Sequence, residues 1–482
     1  MNAIDALAIL PLIIVAAGAL VVMLVISFYR NQTVSALLTI ITLVTAIVSL
    51  PTAGGVAPHM VGSLLRIDAF ALYYIGLILL ASLAVTVLSH SYFEKYRMER
   101  GEFYILLLLS VLGALVLPAT THFITFFLGL ELLSVSLYVM VGYIFTKERA
   151  LEATIKYLFL AAATSAFLLF GMALIYAYTG SMAFYDVAVV TQIERTPNPL
   201  LLAGAALIFV GAGFKLSVVP FHQWTPDIYQ GAPAPVTAFL ATVSKAAVLA
   251  VVLRFVHQAG LLAHPGTFTA LAVIAVASMT IGNLLALFQD NIKRILAYSS
   301  IAHFGYLFVA LLSAGELGLE AATFYLTVYM TAVLGAFGVV SYMTPADREA
   351  DTVADYRGLF WRRPAIATTF AIMLFSLIGL PLTAGFMGKL LLVSAGIAAN
   401  QWFLVLWLVL NSAVGLYYYL RIVVAMYTRV DSEQSDESHR PSTPPFALTI
   451  GAVLTVLVLI IVLMGVYPEP MLEWIRLITY RQ

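Results

Sequence analysis

The stretch Gly211-Ala-Gly213-Phe-Lys215-Leu-Ser-Val-Val-Pro220-Phe-His222 sits in an apolar run long enough to cross a bilayer, yet it holds two glycines, a proline and a lysine. Proline removes a backbone donor and clashes with the preceding turn. The carbonyls it frees are tolerated at membrane depth only where protein or water satisfies them. A second stretch, Gly379-Leu-Pro381-Leu-Thr-Ala-Gly385-Phe-Met-Gly388-Lys389, has the same combination inside a run too long for one straight crossing. Both predict an interrupted helix beside a hydrated pocket, with a lysine at the interruption.

Lys156 and Lys245 also lie inside apolar runs, which puts four of the seven lysines at membrane depth. Ionisable groups there are expensive and mark ion or proton pathways. Lysine, unlike arginine, can lose its proton and regain it, so a transferable proton is the leading expectation. With 62% hydrophobic and 10% charged residues, the 482-residue chain reads as a single all-α polytopic membrane domain, 1–482. A net charge of zero and the lack of a basic stripe interleaved with aromatics exclude nucleic acid as a partner. The absence of cysteine excludes disulfides, thiolate chemistry and cysteine-held clusters within the chain. No phosphate loop, His-Glu-x-x-His helix or serine elbow is present. The start, Met1-Asn2-Ala3-Ile4-Asp5, lacks a basic leader region, so the first run reads as a retained anchor.

A bilayer core takes about 20 helical residues. On that ruler apolar runs fall near 4–29, 34–52, 69–91, 103–118, 120–144, 153–179, 200–223, 234–258, 267–288, 295–314, 320–343, 365–398, 403–428 and 446–467, which makes fourteen spans. The tail 469–482 is amphipathic and reads as an interfacial helix. Loops after odd-numbered spans carry fourteen basic residues, among them Lys95, Lys147, Lys293 and Arg294, against five on the other side, Arg254 included. The positive-inside rule then makes the odd loops cytoplasmic and puts both termini outside. The polar, proline-rich loop 431–445 is expected to be mobile and without chemistry of its own.

The interrupted spans seven and twelve are five apart, and an odd offset reverses their direction through the membrane, as in an inverted repeat. Spans four to eight (103–260) then match nine to thirteen (266–429), with spans one to three (1–102) and fourteen outside the repeat. Two unrelated kinked helices would give the same breaks. At 1.5 Å per residue, Glu131 in span five and Lys245 in span eight both lie about 15 Å deep. Glu131 is the single well-buried carboxylate expected beside four lysines, so at most one pair neutralises itself. Lys156 has Glu152 one turn before it, and a local ion pair competes with a transport role. His303 fits either a proton relay or a donor to a carbonyl, and Glu131 either a structural partner or a tuning charge. Arg421 reads as snorkelling, and His222, Trp224 and Asp227 as proton uptake or loop bracing rather than metal ligation.

The segment Phe221-His222-Gln-Trp224-Thr-Pro-Asp227-Ile-Tyr229-Gln-Gly231-Ala-Pro-Ala-Pro-Val-Thr-Ala-Phe239, followed by Ser244-Lys245-Ala-Ala, resembles the signature of the antiporter-like membrane subunits of respiratory complex I. Ala297-Tyr-Ser-Ser-Ile-Ala-His303 and Gly129-Leu-Glu131 resemble it too, and the likeness is closest to subunit N, the counterpart of mitochondrial subunit 2. The resemblance implies an antiporter-like fold of fourteen helices with an inverted repeat, in a bacterial inner membrane. It implies a proton-translocating part in NADH:quinone oxidoreductase, with no cofactor or metal in this chain. NADH, flavin, iron–sulfur clusters and quinone would belong to partner subunits, and the partners are other membrane subunits and lipid. It also implies an ion pair of Glu131 with Lys215, proton uptake at Lys245, a linking His303, a terminal Lys389 near the exit, and a place for Lys156. A multi-subunit sodium/proton antiporter and a non-pumping scaffold are the competing readings.

Overall fold

The computed structural model describes residues 2–95, 101–193, 198–313, 315–345, 348–429 and 447–479. The loop 431–445 lies outside them. Thirteen helices among the described residues are long and apolar enough to cross a membrane. The run expected at 365–398 is two fifteen-residue helices, Pro364–Ile378 and Ala384–Ala398. Span one starts later than expected: a short helix Ala3–Ala8 ends at Ile9, and the crossing helix is Leu10–Phe28.

Short polar residues set where several helices begin, because a helix leaves its first amides without partners. Asn31 accepts from the Val34 amide, Asp68 from Ala71, Asn198 from Leu200 and Asn291 from Arg294. Two connections hold structure that hydropathy does not signal. One is a hairpin pairing His59–Val61 with Leu65–Ile67, and the other is the helix Phe184–Ile193.

Span eight (Ala234–Gln258) and span eleven (Glu316–Met343) are buried along their whole apolar windows, and span ten (Ile292–Leu312) is nearly so. Span six (Glu148–Thr179) and span fourteen (Leu448–Val466) lie at the rim, mostly exposed. A helix apolar on all sides belongs either inside the bundle or against lipid. The lysine-bearing span eight therefore runs through protein.

Loops alternate between two ends. Tyr92 in the last turn of span three and Lys95 just after it, Lys147 after span five, Lys293 at the start of span ten and Glu349 after span eleven meet at one end. Asp68 before span three, Pro118 ending span four and Arg254 near the end of span eight meet at the other. The tail helix Glu469–Thr479 packs back on the bundle there. Arg476 pairs with Glu320 at 3.0 Å, and Trp474 meets Tyr73 edge to face.

Candidate functional site

Span eight reaches its lysine through an irregularity. Residues Leu240–Ser244 form a π-helical turn, and Lys245 follows at once. Such wide turns shift the phase of everything after them. The Lys245 side chain is 1% exposed, and its amine donates to Ser300 Oγ at 2.7 Å and stands 4.7 Å from the centre of the Phe304 ring.

Span ten supplies most of the neighbouring polar groups. Ser299, Ser300, His303 and Tyr306 recur at helical spacing and line one side of it. Ser300 also accepts from the Tyr329 hydroxyl at 2.6 Å. His303 is buried, with Nδ1 2.7 Å from the Tyr325 hydroxyl and Nε2 3.2 Å from the Tyr419 hydroxyl. Tyr419 is hydrogen-bonded in turn to Ser299. Hydroxyls and imidazole are each donor and acceptor, so this array can hand a proton along in either direction. Asn283 fixes the far side, donating to the Tyr306 hydroxyl at 2.9 Å and accepting from Tyr418 at 3.0 Å.

Both interrupted helices are present, and at each break one carbonyl is capped by a side chain of the chain itself. Span seven is helical over Pro199–Leu216 and ends on Ser217 with φ 63°; a short helix Trp224–Gly231 follows. The Trp224 indole donates to the Phe214 carbonyl at 2.9 Å. Span twelve breaks at Gly379, where φ is 85° and a Cβ would lie 2.9 Å from Lys389 Cδ. Glycine there supplies both the left-handed turn and the room for the lysine. The Lys389 amine donates to the Ile378 carbonyl at 2.8 Å and faces the Tyr306 ring at 5.3 Å.

Lys215 differs from this. Its amine is buried with no hydrogen-bond partner, 5.1 Å from the Tyr157 ring centre and 5.6 Å from that of Tyr138. Tyr157 stacks on Trp224, so the indole that caps the break also backs this aromatic cage. The expected ion pair with Glu131 is not formed. Glu131 lies close enough for its charge to act on Lys215, but its carboxylate takes a 2.5 Å hydrogen bond from Ser165 in span six. Nor is Glu131 the well-buried carboxylate: it is half-buried, while Asp68 and Glu320 are 1% and 4% exposed. Glu131 faces span six at the rim, which its depth along span five does not reveal.

Lys156 lies apart from the buried array. Its half-exposed amine pairs with Glu152 at 2.6 Å and with Asp227 at 2.8 Å, and Asp227 also binds Arg294 at 2.7 Å. Burial alone would raise the Asp227 carboxyl, but the Lys156 and Arg294 donors outweigh it and hold it below the usual range. Arg421 reaches the Gln289 carbonyl and Asp290, also at a helix end. Among the described residues no group of His, Asp and Glu has the arrangement of a metal site.

Two cations assigned to loops are buried instead. Arg254 makes a bidentate pair with Asp68 at 2.8 and 2.7 Å and donates to the Pro118 carbonyl. Lys293 is 0% exposed and donates to the Ala232 carbonyl at 2.7 Å. Charges at run ends look alike in sequence whether they face water or protein. A cavity of about 220 Å³ beside Arg254 and His257 is lined by none of the six expected relay residues.

Residues 120–415 match the NADH:quinone oxidoreductase/Mrp antiporter transmembrane family, Proton_antipo_M. A chain of respiratory complex I from Thermus thermophilus, solved with bound aureothin, is 33% identical, with 96% of this chain and 98% of that one covered at a TM-score of 0.82. A chain of the membrane-bound sulfane sulfur reductase, an archaeal respiratory membrane complex, is 25% identical over 97% and 96% of the two chains, with a TM-score of 0.84. A chain of the Mrp complex from a Dietzia species shares the fold at 20% identity and a TM-score of 0.84 over 99% and 97%. Matched from span five into span thirteen and nearly end to end with a complex I chain, this protein belongs to the NADH:quinone oxidoreductase/Mrp antiporter family and has its antiporter-like membrane fold.

Proposed function

We propose that the chain is a proton-conducting subunit of the membrane arm of an NADH:quinone oxidoreductase, of the subunit N kind. The observation that carries this reading is the buried Lys245 amine bonded to Ser300, on the same helix face as His303. Spans four to eight and nine to thirteen act as inverted repeats, each contributing one broken helix and its lysine. Electron transfer in partner subunits changes the field at Glu131 and Lys215, and proton affinity shifts along Lys245, His303 and Lys389 until uptake and release alternate. Glu131, Lys156, Lys215, Lys245, His303 and Lys389 form the relay, with Lys156 at its rim. NADH, flavin, iron–sulfur clusters and quinone act in the partners. The odd loops face the cytoplasm of a bacterium and both termini face out.

The test is Lys245→Arg in the native complex, followed as NADH-driven acidification of inverted membrane vesicles. Arginine keeps the charge but cannot cycle its proton, so acidification is expected to fall with assembly intact. Unchanged acidification rejects the relay. Wild-type vesicles that exchange sodium for protons without responding to NADH would assign the chain to an Mrp-type antiporter. Lys215→Ala with pumping intact would reduce it to a scaffold.

A further inference from the structure

The relay needs a source of protons at one end of the bundle, and Lys293 is built for that duty. Its amine is sealed from solvent in the first turn of span ten, bonded to the Ala232 carbonyl and 3.4 Å from Glu349 Oε2. Glu349 lies in the loop after span eleven with its side chain 16% exposed, and so touches both water and the buried amine. Lys147 reaches its other oxygen at 3.3 Å, and the Tyr92 hydroxyl donates there too. Burial works against its charge, but Lys293 and Lys147 prevail and hold the carboxyl below the ordinary carboxylate range. Glu349 is therefore anionic at neutral pH.

A clamp for the loop would need no more than this, but the geometry continues inward. Ser300, the partner of Lys245, stands seven residues after Lys293 on span ten. Seven residues are two helical turns, about 10 Å along the same stripe. Tyr229 stands at the inner end of that gap. It lies three residues before Ala232, which Lys293 holds, and its ring centre is 5.8 Å from the Lys245 amine. Its hydroxyl is buried and lies toward that of Ser300 without closing a well-formed hydrogen bond. A hydroxyl in that state suits a donor and acceptor used in passing better than a structural tie.

We propose that Lys293, balanced by Glu349, is the group at the odd-loop face that reloads Lys245, by way of the Tyr229 and Ser300 hydroxyls. The Lys293 ammonium gives one proton to the first hydroxyl, which releases its own onward, and the neutral Lys245 amine takes up the last. Lys293 then takes one proton from hydronium arriving at the exposed edge of Glu349, which stays anionic throughout, and water is left behind. No other reactant is consumed.

The proposal rests on the proton-conducting reading, and the experiment separates the two. Lys293→Arg, Tyr229→Phe and Lys245→Arg are each placed in the native complex, assembly is verified, and NADH-driven acidification is measured in inverted vesicles. Lys293→Arg keeps a cation beside Glu349 and a donor for Ala232, so it rescues a structural role. Arginine gives up its proton about three orders of magnitude less readily, so a carrier role predicts a loss of about tenfold or more. Tyr229→Phe deletes an oxygen that closes no well-formed hydrogen bond, and the same loss is expected. Wild-type acidification in both, with Lys245→Arg inactive, overturns the inference and leaves the relay standing. Wild-type acidification in all three removes the relay as well.

Discussion

Arg254→Ala tests a buried electrostatic tie in the bundle. The guanidinium, its side chain 4% exposed, makes two charge-assisted bonds to Asp68 and one to the Pro118 carbonyl, and lies 4.9 Å from the Phe70 ring. Truncation leaves the 1% exposed Asp68 carboxylate with its Ala71 amide and the half-buried Arg66 at 3.3 Å. Breaking such a pair by removing one partner destabilises by about 3–5 kcal/mol, because the buried charge keeps only a half-buried cation as its counter-charge. The amides of residues 66–72 should report this, since Asp68 caps span three. At 1.4 kcal/mol per tenfold, about 4 kcal/mol is a rise in their hydrogen exchange of almost three orders of magnitude. The double variant Asp68→Asn with Arg254→Ala removes both charges and keeps a side-chain oxygen for the cap, and it should lose about 2 kcal/mol less than the sum of Asp68→Asn and Arg254→Ala alone. A single-variant effect under about tenfold, or strict additivity, would refute the reasoning.

Lys95, half-buried and donating to the Ser341, Tyr342 and Thr344 carbonyls, has its amine pushed down to about 8 by desolvation. Amine-reactive labelling followed by mass spectrometry should show Lys95 titrating near pH 8, well below solvent-facing lysines. Gly385→Ala should abolish assembly, because a Cβ would lie 1.7 Å from the Ser376 carbonyl oxygen across the break, whereas Gly451→Ala, facing open space, should assemble normally. Glu349 stabilises through a depressed carboxyl, so its contribution is present above about pH 4.5 and is lost as pH falls further. Exchange in 348–356, corrected for intrinsic rates, should rise there in the wild type and not in Glu349→Gln.

Hydropathy carries most of this architecture, because in lipid an apolar run must satisfy its own backbone and so becomes a helix. The breaks were equally legible: Gly379 and Pro381 mark the place where span twelve parts, and the turn after Lys215 lies just ahead of Pro220. Depth along a helix was readable, but the direction a residue faces was not. Glu131 and Lys245 are similarly deep, yet one is at the rim and the other sealed. Neighbours on one helix diverge by about 100°, which is why Lys293 turns into protein while Arg294 meets Asp227 at the mouth. The π turn before Lys245 has no compositional mark, since Leu-Ala-Thr-Val-Ser suits an ordinary helix equally well. The pairing of Asp68 with Arg254 joins two run ends 186 residues apart, a distance no local pattern spans.

The two interrupted helices hold their loose carbonyls by different means, and this makes them mechanically unequal. At span seven the indole of Trp224 grips Phe214; its N–H never ionises, so that kink has a constant stiffness. At span twelve the grip on Ile378 is the Lys389 amine itself. A charged donor bonds a carbonyl about twice as strongly as a neutral one, so filling or emptying Lys389 tightens or slackens the bend it sits in. Were Lys389 to exchange its proton, backbone shape and occupancy would be one variable at that joint, and two at the other.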